Sequence, residues 1–373
     1  MELNKIAFDS NFSLILGAYN QKRIYGFAYD NSENQILKKH LFYEVEVDFL
    51  TDQYGNQCIF EINRKQIYYQ NKIPGSKLEQ IAEKAAQSIF PIKIKINKAG
   101  EIDQILNHEA VKIRWHEIKS EIQEYYKGER VLKIITKIEN LLLNDILLKE
   151  SLGKNWFFHL FFKPLYVSYT EKLKFKCIWH SPVFGDQCIE YGVVHTIYEN
   201  YDADDKIIIN ADGIAIDERS IDEIRAGYKF PPSQFSEAAS EPVESQMKLD
   251  YKLYAEDRSI FSVTGSFETK IDENTQQKIQ LEIYHLTESS SFRPLSDTVE
   301  RENQRIYESW QKADRGKGYL YDLSKELREN TPTPEPFREK KPPGERIELF
   351  VEEIFPKKKI SLWSKIKSIF KKK

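Results

Sequence analysis

The sequence predicts an α+β protein in which an extensive, mostly antiparallel and curved β-sheet packs on a central block of helices. Three observations support this prediction. Alternating apolar and polar residues, typical of half-buried strands, lie on both sides of the one long helical stretch, residues 107–162. Aromatic residues make up 13% of the chain, which suits a sheet-rich protein. Short turn sequences separate the alternating segments, as in antiparallel hairpins.

Residues 1–106 are expected to form an N-terminal antiparallel β region with one helix. Alternation of apolar and polar residues predicts strands over 12–19, 24–29, 41–50 and 58–63. The sequence Ser76-Lys-Leu-Glu79 matches a capping box and predicts a helix to about Phe90, which Pro91 ends. Residues 91–106 then predict a hairpin that turns at Asn97–Gly100.

The central block, residues 107–162, begins with two predicted helices. Asn107 is a candidate N-cap, and the residues after it place one apolar stripe at Val111, Trp115, Ile118, Ile122 and Tyr125. Gly128 breaks this register. Residues 131–148 then carry eleven aliphatic side chains over more than half of a helical circumference, which predicts a helix central to the core. Polar residues inside this stretch exclude a membrane span, which needs about 18 uninterrupted apolar residues.

The central block ends in a dense aromatic run over residues 155–162. Its members are Trp156, Phe157, Phe158, Phe161 and Phe162. Two interpretations stay open. The run is ordinary core, or it lines a cavity for an apolar ligand that the curved sheet encloses.

Residues 163–295 are expected to form a second antiparallel β region. Its predicted strands are 166–169, 173–180, 188–198, 224–230, 247–255, 260–270 and 279–286, with a loop at 231–244. A further hairpin is predicted over 206–217, with its turn at Asn210–Gly213. This turn sequence is similar to that of Asn97–Gly100. The two segments are either related by an internal duplication of the chain or are two hairpins with the same turn chemistry.

The C-terminal part differs from the body in composition and charge. Residues 296–330 predict polar helices, and residues 331–344 contain five prolines, typical of an extended linker. Residues 345–373 form a basic amphipathic tail. The charge is about −9 for residues 1–330 and +6 from Thr331 onward, an asymmetry typical of a tail that meets an anionic surface.

The tail carries the docking residues that the sequence predicts. On a helical wheel its apolar residues fall within about 120° of arc; they are Leu362, Trp363, Ile366, Ile369 and Phe370. Lysines surround them at Lys357, Lys358, Lys359, Lys365, Lys367 and Lys371. Such a helix docks on a protein partner, lies on an anionic membrane surface, or folds back on its own body, and the sequence does not choose among these roles.

No metal or cofactor site is predicted. Cys177, His180, Cys188 and His195 resemble a zinc set, but on strands Cys177 and His180 point to opposite faces, as do Cys188 and His195. The Asp-rich stretch 202–217 does not follow the order of a calcium-binding EF-hand loop. The chain lacks the motifs GxxxxGK[ST], GxGxxG, GxSxG and CxxC, so no catalytic residue is predicted. Specific nucleic-acid binding is not expected, because only the tail is basic.

These observations favour a non-enzymatic bacterial interaction protein, an adaptor or assembly component whose tail docks on a protein partner. The alternative is a carrier or sensor of an apolar ligand that acts at the inner membrane surface. An enzyme without a recognisable motif is third. Three cysteines without a disulfide framework and the lack of a signal-like N-terminus predict a cytoplasmic location, peripheral to the inner membrane in the alternative. Richness in Ile, Lys, Asn and Tyr suggests a bacterial source.

Overall fold

Strands from residues 23–105 and 174–286 join in one sheet. The computed structural model describes residues 5–8, 12–18, 22–51, 58–231, 241–286 and 321–322. The strands are β1 (Arg23–Glu33), β2 (Ile36–Thr51), β3 (Cys58–Tyr69), β4 (Ile92–Ile96), β5 (Ile102–Ile105), β6 (Tyr126–Lys127), β7 (Lys174–Phe184), β8 (Gln187–Ile197), β9 (Lys206–Ala215), β10 (Ser245–Tyr254), β11 (Ile260–Lys270), β12 (Gln276–Leu286) and β13 (Tyr321–Asp322). Apart from β6 and β13, which form a short parallel pair, they build one antiparallel sheet.

The sheet has eleven strands in the order β5-β4-β3-β2-β1-β12-β11-β10-β9-β8-β7. Its central junction pairs β1 with β12, from Ile24 opposite Leu286 to Glu33 opposite Gln277. Strands of the predicted regions 1–106 and 163–295 therefore share one hydrogen-bonded ladder. The sheet does not close, and β5 and β7 are its edge strands.

Six helices are described: α1 (Lys77–Gln87), α2 (His108–Tyr125), α3 (Glu129–Leu143), α4 (Asp145–Lys154), α5 (Trp156–Phe161) and α6 (Ile221–Arg225). The capping box predicted at Ser76 is confirmed, because its side chain accepts the Glu79 N–H while the Glu79 carboxylate accepts the Ser76 N–H. Asn107 precedes α2 as predicted, but its side chain bonds the backbone of Pro91 and Lys93 and does not cap the helix.

The sheet curls around α5. The Phe162 ring, at the end of this helix, lies 5.5 Å from the Phe60 ring of β3, and the His159 ring lies 6.1 Å from the Trp179 ring of β7. These two strands are the third and the eleventh of the sheet, which would place them about 38 Å apart if the sheet were flat. A six-residue helix rises only about 9 Å. Both contacts are made because the sheet is strongly curved.

The aromatic run of α5 is the centre of the core. Phe157 lies 6.2 Å from Phe27 and stacks on Phe161 at 5.2 Å, while Phe161 packs edge-on against Tyr25 at 5.2 Å. The Tyr251 hydroxyl of β10 donates to the Leu160 carbonyl at 3.1 Å. Rings from both halves of the sheet therefore meet on one short helix.

The hairpin predicted over residues 206–217 is wrong, because this stretch forms a single strand, β9, that passes straight through Asn210–Gly213. Gly213 pairs with Val193 on one side and with Met247 on the other. A Cβ at this glycine would lie 2.8 Å from Met247 Cγ. The glycine permits close packing of strands and makes no turn, so neither interpretation of the similarity to Asn97–Gly100 applies.

Four other predicted segments differ from the structure. Residues 224–230, predicted as a strand, belong to α6 and the turn after it, where a second capping box starts at Ser220. Segments 12–19 and 166–169 contribute only an isolated bridge between Ser13 and Ser168. The helix predicted over 131–148 breaks at Asn144, which caps α4.

The aliphatic side chains around that break are less buried than their number suggests. Val131, Ile135, Leu142 and Leu148 are buried. Others stay exposed: Leu132 at 54% and Leu147 at 43%. This helical stretch therefore covers the core with one stripe and is not central to it.

Within the described ranges, no helix combines the length and the apolar character that a membrane crossing requires.

Candidate functional site

Two adjacent clefts lie beside the open side of the sheet. The Lys163 cleft has a volume of about 410 Å³, and its wall includes Glu101, Phe162, Lys163, Phe175, Cys177 and Trp179. The Ile146 cleft has a volume of about 490 Å³, and its wall includes Ile102, Ile105, Asp145, Ile146, Lys149 and Phe158. Both clefts share Gly153, His159, Phe162 and Lys163. The segment from α4 to Lys163 therefore lies between edge strands β5 and β7.

Local sequence places Lys163 directly beyond the end of α5. Asn155 caps the start of this helix, because its side-chain oxygen accepts the N–H two residues on at 3.1 Å. Pro164 lacks a backbone N–H and cannot continue the helix. The chain is then held to the β4–β5 turn, since the Tyr166 N–H donates to the Ala99 carbonyl at 3.1 Å. Lys163 is thus fixed between a capped helix and a hydrogen-bonded turn.

The β4–β5 turn approaches this segment closely because Gly100 has no side chain. Its φ is +101°, a conformation that favours glycine. A Cβ there would lie 2.7 Å from Tyr166 Cδ2 and 2.9 Å from the Lys163 carbonyl oxygen. The turn predicted at Asn97–Gly100 is confirmed, and its glycine also sets the wall of the Lys163 cleft.

The Lys163 ammonium is partly buried, and little negative charge lies near enough to offset its positive charge. Its Nζ lies 4.2 Å from the centre of the Trp179 ring and 3.3 Å from His159 Nδ1. Among the described residues no carboxylate oxygen lies within the 4.0 Å of an ion pair with this nitrogen. Burial lowers the pKa of Lys163 from 10.5 to about 7, while Cys177 and the Glu101 carboxylate oppose this shift. Near neutral pH the amine therefore exchanges readily between its charged and neutral forms.

His159 is a buried neighbour of this amine. Its Nδ1 lies 3.0 Å from the Gly153 carbonyl, which can only accept, so Nδ1 carries the proton in this contact. Nε2 is then the acceptor for the Ser181 hydroxyl at 3.1 Å. Burial and the Lys163 charge hold the pKa of His159 well below 6.5. The ring is therefore neutral, and its protonated nitrogen offers Lys163 no acceptor.

Cys177 and His195 meet below the Lys163 cleft, with Sγ 3.7 Å from Nε2. Burial raises the pKa of the Cys177 thiol to about 11 and lowers the pKa of His195 to about 4. Both groups are therefore neutral near pH 7. A nucleophilic cysteine needs a lowered pKa, so this pair is not a thiolate–imidazolium dyad.

Two buried nitrogens lie beside this pair. His195 Nδ1 has no hydrogen-bond partner among the described atoms. The Trp179 indole N–H faces the Cys177 sulfur and is shielded from solvent, so the ring of Trp179 and not its N–H lines the Lys163 cleft.

Of the residues weighed for zinc, Cys177 and His195 are in contact, as described above. His180 is 62% exposed, and its Nδ1 lies 3.7 Å from a Glu190 carboxylate oxygen. Asp202 accepts the backbone N–H groups of Asp204 and Lys206, each at 2.9 Å. Its other oxygen accepts Lys252 Nζ at 2.8 Å, so Asp202 serves its own turn and an ion pair. No group of three or more metal-ligating side chains exists in the part of the chain that the structure describes.

The aromatic residues proposed as a cavity lining occupy different surroundings. Phe157 and Phe161 are buried in the ring cluster of the core, and Trp156 packs on Phe267 at 5.0 Å. Phe158 lines the Ile146 cleft, and Phe162 lines both clefts. The predicted docking residues of the tail lie outside the described residues, so that interpretation stays a prediction.

Sequence reasoning did not select Lys163, His159, Trp179 or Glu101. The sequence contains one signal for Lys163. This lysine lies between an aromatic run and a proline, which places it beside the end of a core helix. Its pairing with Trp179 depends on the curvature of the sheet, which brings β7 to α5. That contact has no counterpart in local sequence spacing.

No protein-family model matches the chain, and no curated protein matches it. Among solved structures, one of lipovitellin, described as showing lipid–protein interactions, is similar over 75% of this chain. The TM-score is 0.33 and the sequence identity is 11%. The chain spans about a quarter of that protein's length, since 27% of it is covered. A likeness at this level carries no argument about ligand or function.

Proposed function

We propose that this protein binds a small organic carboxylate at Lys163. The observation that carries the proposal is the partly buried Lys163 ammonium, which faces a cleft and has no carboxylate partner within ion-pair distance among the described residues. A charge taken from water without a partner is costly, and an anion in the cleft would offset that cost. Phe162, Phe175 and Trp179 supply apolar contacts beside it.

The neighbours of Lys163 do not supply a second group for acid–base catalysis. The groups nearest to Lys163 are a neutral imidazole and a neutral thiol, His159 and Cys177. Neither combines solvent access with a pKa suited to proton transfer at pH 7. The volume of about 410 Å³ lies in the range of small-molecule sites. This proposal is a form of the ligand-carrier alternative, with a polar head added to the apolar ligand.

Isothermal titration calorimetry with hexanoate and its neutral analogue 1-hexanol tests the proposal. In wild type at pH 6 we expect hexanoate to bind more tightly than 1-hexanol. A hydrogen bond to a charged group contributes about 1.5–3 kcal/mol, so Lys163→Met should weaken hexanoate binding by roughly 10- to 100-fold. Lys154→Met is the matched control, since Lys154 is exposed and lies outside both clefts. Equal hexanoate affinity in wild type and Lys163→Met would overturn the proposal.

A second candidate function is docking through the basic tail, which the sequence alone supports. The apolar stripe Leu362–Phe370 and the lysines around it have the composition of a helix that binds a protein groove or an anionic membrane. The two functions are compatible, because the tail and the clefts use different residues. A test of the tail is given at the end of the Discussion.

A further inference from the structure

The two clefts adjoin along the segment that ends at Lys163. Gly153, His159, Phe162 and Lys163 line both of them. The shared wall is well packed, because Phe162 lies 5.5 Å from Phe60 and 6.0 Å from Phe158. A molecule longer than one cleft would pass Lys163 to reach the other.

The Ile146 cleft is apolar at its base and acidic at its rim. Ile102, Ile105, Phe158 and Phe162 supply the base, and Ile146 stands 64% exposed at the opening. The rim carries three carboxylates, Asp103, Asp145 and Glu150, of which Asp103 pairs with Lys95 at 3.4 Å, and one lysine. That lysine, Lys149, donates its Nζ to the Asp103 carbonyl at 2.7 Å. Such a surface favours a hydrocarbon chain and disfavours a second anionic group.

The Lys163 cleft is suited to the polar end of such a ligand. It contains the unpaired ammonium, which lies over the Trp179 ring, 4.2 Å from its centre. A carboxylate in this cleft would accept from the Lys163 ammonium. The polar and apolar requirements of one ligand are thus separated between the two clefts.

We infer that the ligand is an aliphatic monocarboxylate, with its head at Lys163 in the Lys163 cleft and its chain in the Ile146 cleft. This inference rests on the proposed function, because it assigns the chain of the ligand whose head Lys163 binds. It predicts that affinity depends on chain length and on Ile146. It also predicts that a second carboxylate at the far end of the chain weakens binding.

Calorimetric titrations of wild type with acetate, butanoate, hexanoate, octanoate and octanedioate at pH 6 test the inference. Each methylene that becomes fully buried should tighten binding by up to about fourfold. Octanedioate should bind more weakly than octanoate, because its second carboxylate meets the acidic rim. Circular dichroism and thermal melting of each variant confirm that it is folded.

Two matched variants locate the chain. Ile146→Glu adds a charge to the opening of the Ile146 cleft and should abolish the gain in affinity from hexanoate to octanoate. Ile113→Glu makes the same change at an equally exposed isoleucine, 62% accessible, on α2 outside both clefts, and should retain the gain.

The outcomes separate this inference from the proposed function. A chain-length series that is flat, or that stays steep in Ile146→Glu, would overturn the inference while Lys163-dependent binding of the head survives. If wild type binds none of these carboxylates, both the inference and the proposed function are overturned.

Discussion

At the scale of single residues, the cost of burying the Lys163 charge predicts how stability depends on pH. The pKa of Lys163 falls from 10.5 to about 7 on folding. Below pH 7 both states hold the proton and the folded protein bears the full cost. Between pH 7 and 10.5 only the unfolded chain binds this proton, so stability rises with pH.

Lys163→Met should therefore raise the melting temperature at pH 6, and its advantage over wild type should shrink toward pH 9. A gain of a few degrees is expected, since about 1 kcal/mol shifts the melting temperature by roughly 2–4 °C in a domain of 150–250 residues. Differential scanning fluorimetry from pH 6 to 9 measures the difference, with Lys154→Met as a control that should show no trend. A pH-independent difference would contradict this account.

The same residue predicts how ligand affinity depends on pH. A bound carboxylate favours the charged amine and raises the pKa of Lys163, so above pH 7 the complex takes up a proton. The other ionisable groups around Lys163 are the Glu101 carboxylate, the His180 imidazole of the cleft wall and four groups that burial keeps neutral near pH 7: Cys177, Cys188, His159 and His195. Comparison with Lys163→Met separates the contribution of Lys163 from that of the other groups.

Hexanoate affinity should be constant from pH 6 to 7 and should fall by up to about tenfold per pH unit above it. Calorimetry in two buffers of different ionisation enthalpy would detect the proton uptake directly. The decline should be absent in Lys163→Met. Affinity that does not change between pH 6 and 9 in wild type would rule out Lys163 as the binding group.

At the scale of elements, the β4–β5 turn is predicted to control the position of Lys163. Gly100→Ala places a side chain at φ +101° and against the Lys163 carbonyl. We expect a loss of roughly 1–3 kcal/mol in the free energy of unfolding, as for other strained backbone positions, together with weaker hexanoate binding. Urea denaturation and calorimetry measure the two effects.

Gly75→Ala is the control for this prediction. Gly75 precedes α1, and a Cβ there would meet nothing nearer than 4.0 Å. Its effect on stability should stay within about 0.5 kcal/mol. If Gly100→Ala proved as mild as Gly75→Ala, the turn would not set the position of Lys163.

Elements differ in how far the sequence predicts them. The hairpin β4–β5, the meander β10–β12 and the capped helix α1 follow local rules of alternation and capping, and all three are confirmed. Strand β9 does not follow these local rules, which predict a turn at its Asn210–Gly213 stretch. There the long-range ladders to β8 and β10 override turn propensity, and Gly213 is explained by its contact with Met247.

The helical block, residues 107–162, is a second case in which local sequence does not predict the tertiary position of a helix. Counting apolar residues predicted that residues 131–148 form the centre of the core. The six-residue helix α5 has that position, because aromatic side chains reach several strands from one short segment. Which helix a curved sheet encloses depends on its curvature, and curvature arises from contacts between residues far apart in sequence.

At the scale of the whole molecule, the open sheet explains why a site exists at all. A closed sheet has no edge strands, whereas here β5 and β7 are separated by the segment from α4 to Lys163. Side chains on that segment are partly buried yet accessible from two clefts. Local sequence could predict the helix, the hairpin and the edge strand separately, but the candidate site arises only where the three meet.

The charge asymmetry of the chain gives the last prediction. Residues 1–330 carry about −9 and the remainder about +6, with the tail lysines beside an apolar stripe. If the tail binds anionic lipid, the full chain should float with phosphatidylserine-containing vesicles at 50 mM salt and be released at 500 mM, because salt screens the lysine attraction. A full-length variant with Trp363, Ile366 and Phe370 changed to serine should not float, since the apolar contribution is lost. Ser361→Ala, on the opposite face, should behave as wild type.

If the triple variant floats as well as wild type, the apolar stripe plays no part in membrane binding. If wild type itself does not float, a groove on a protein partner remains the proposed receptor of the tail.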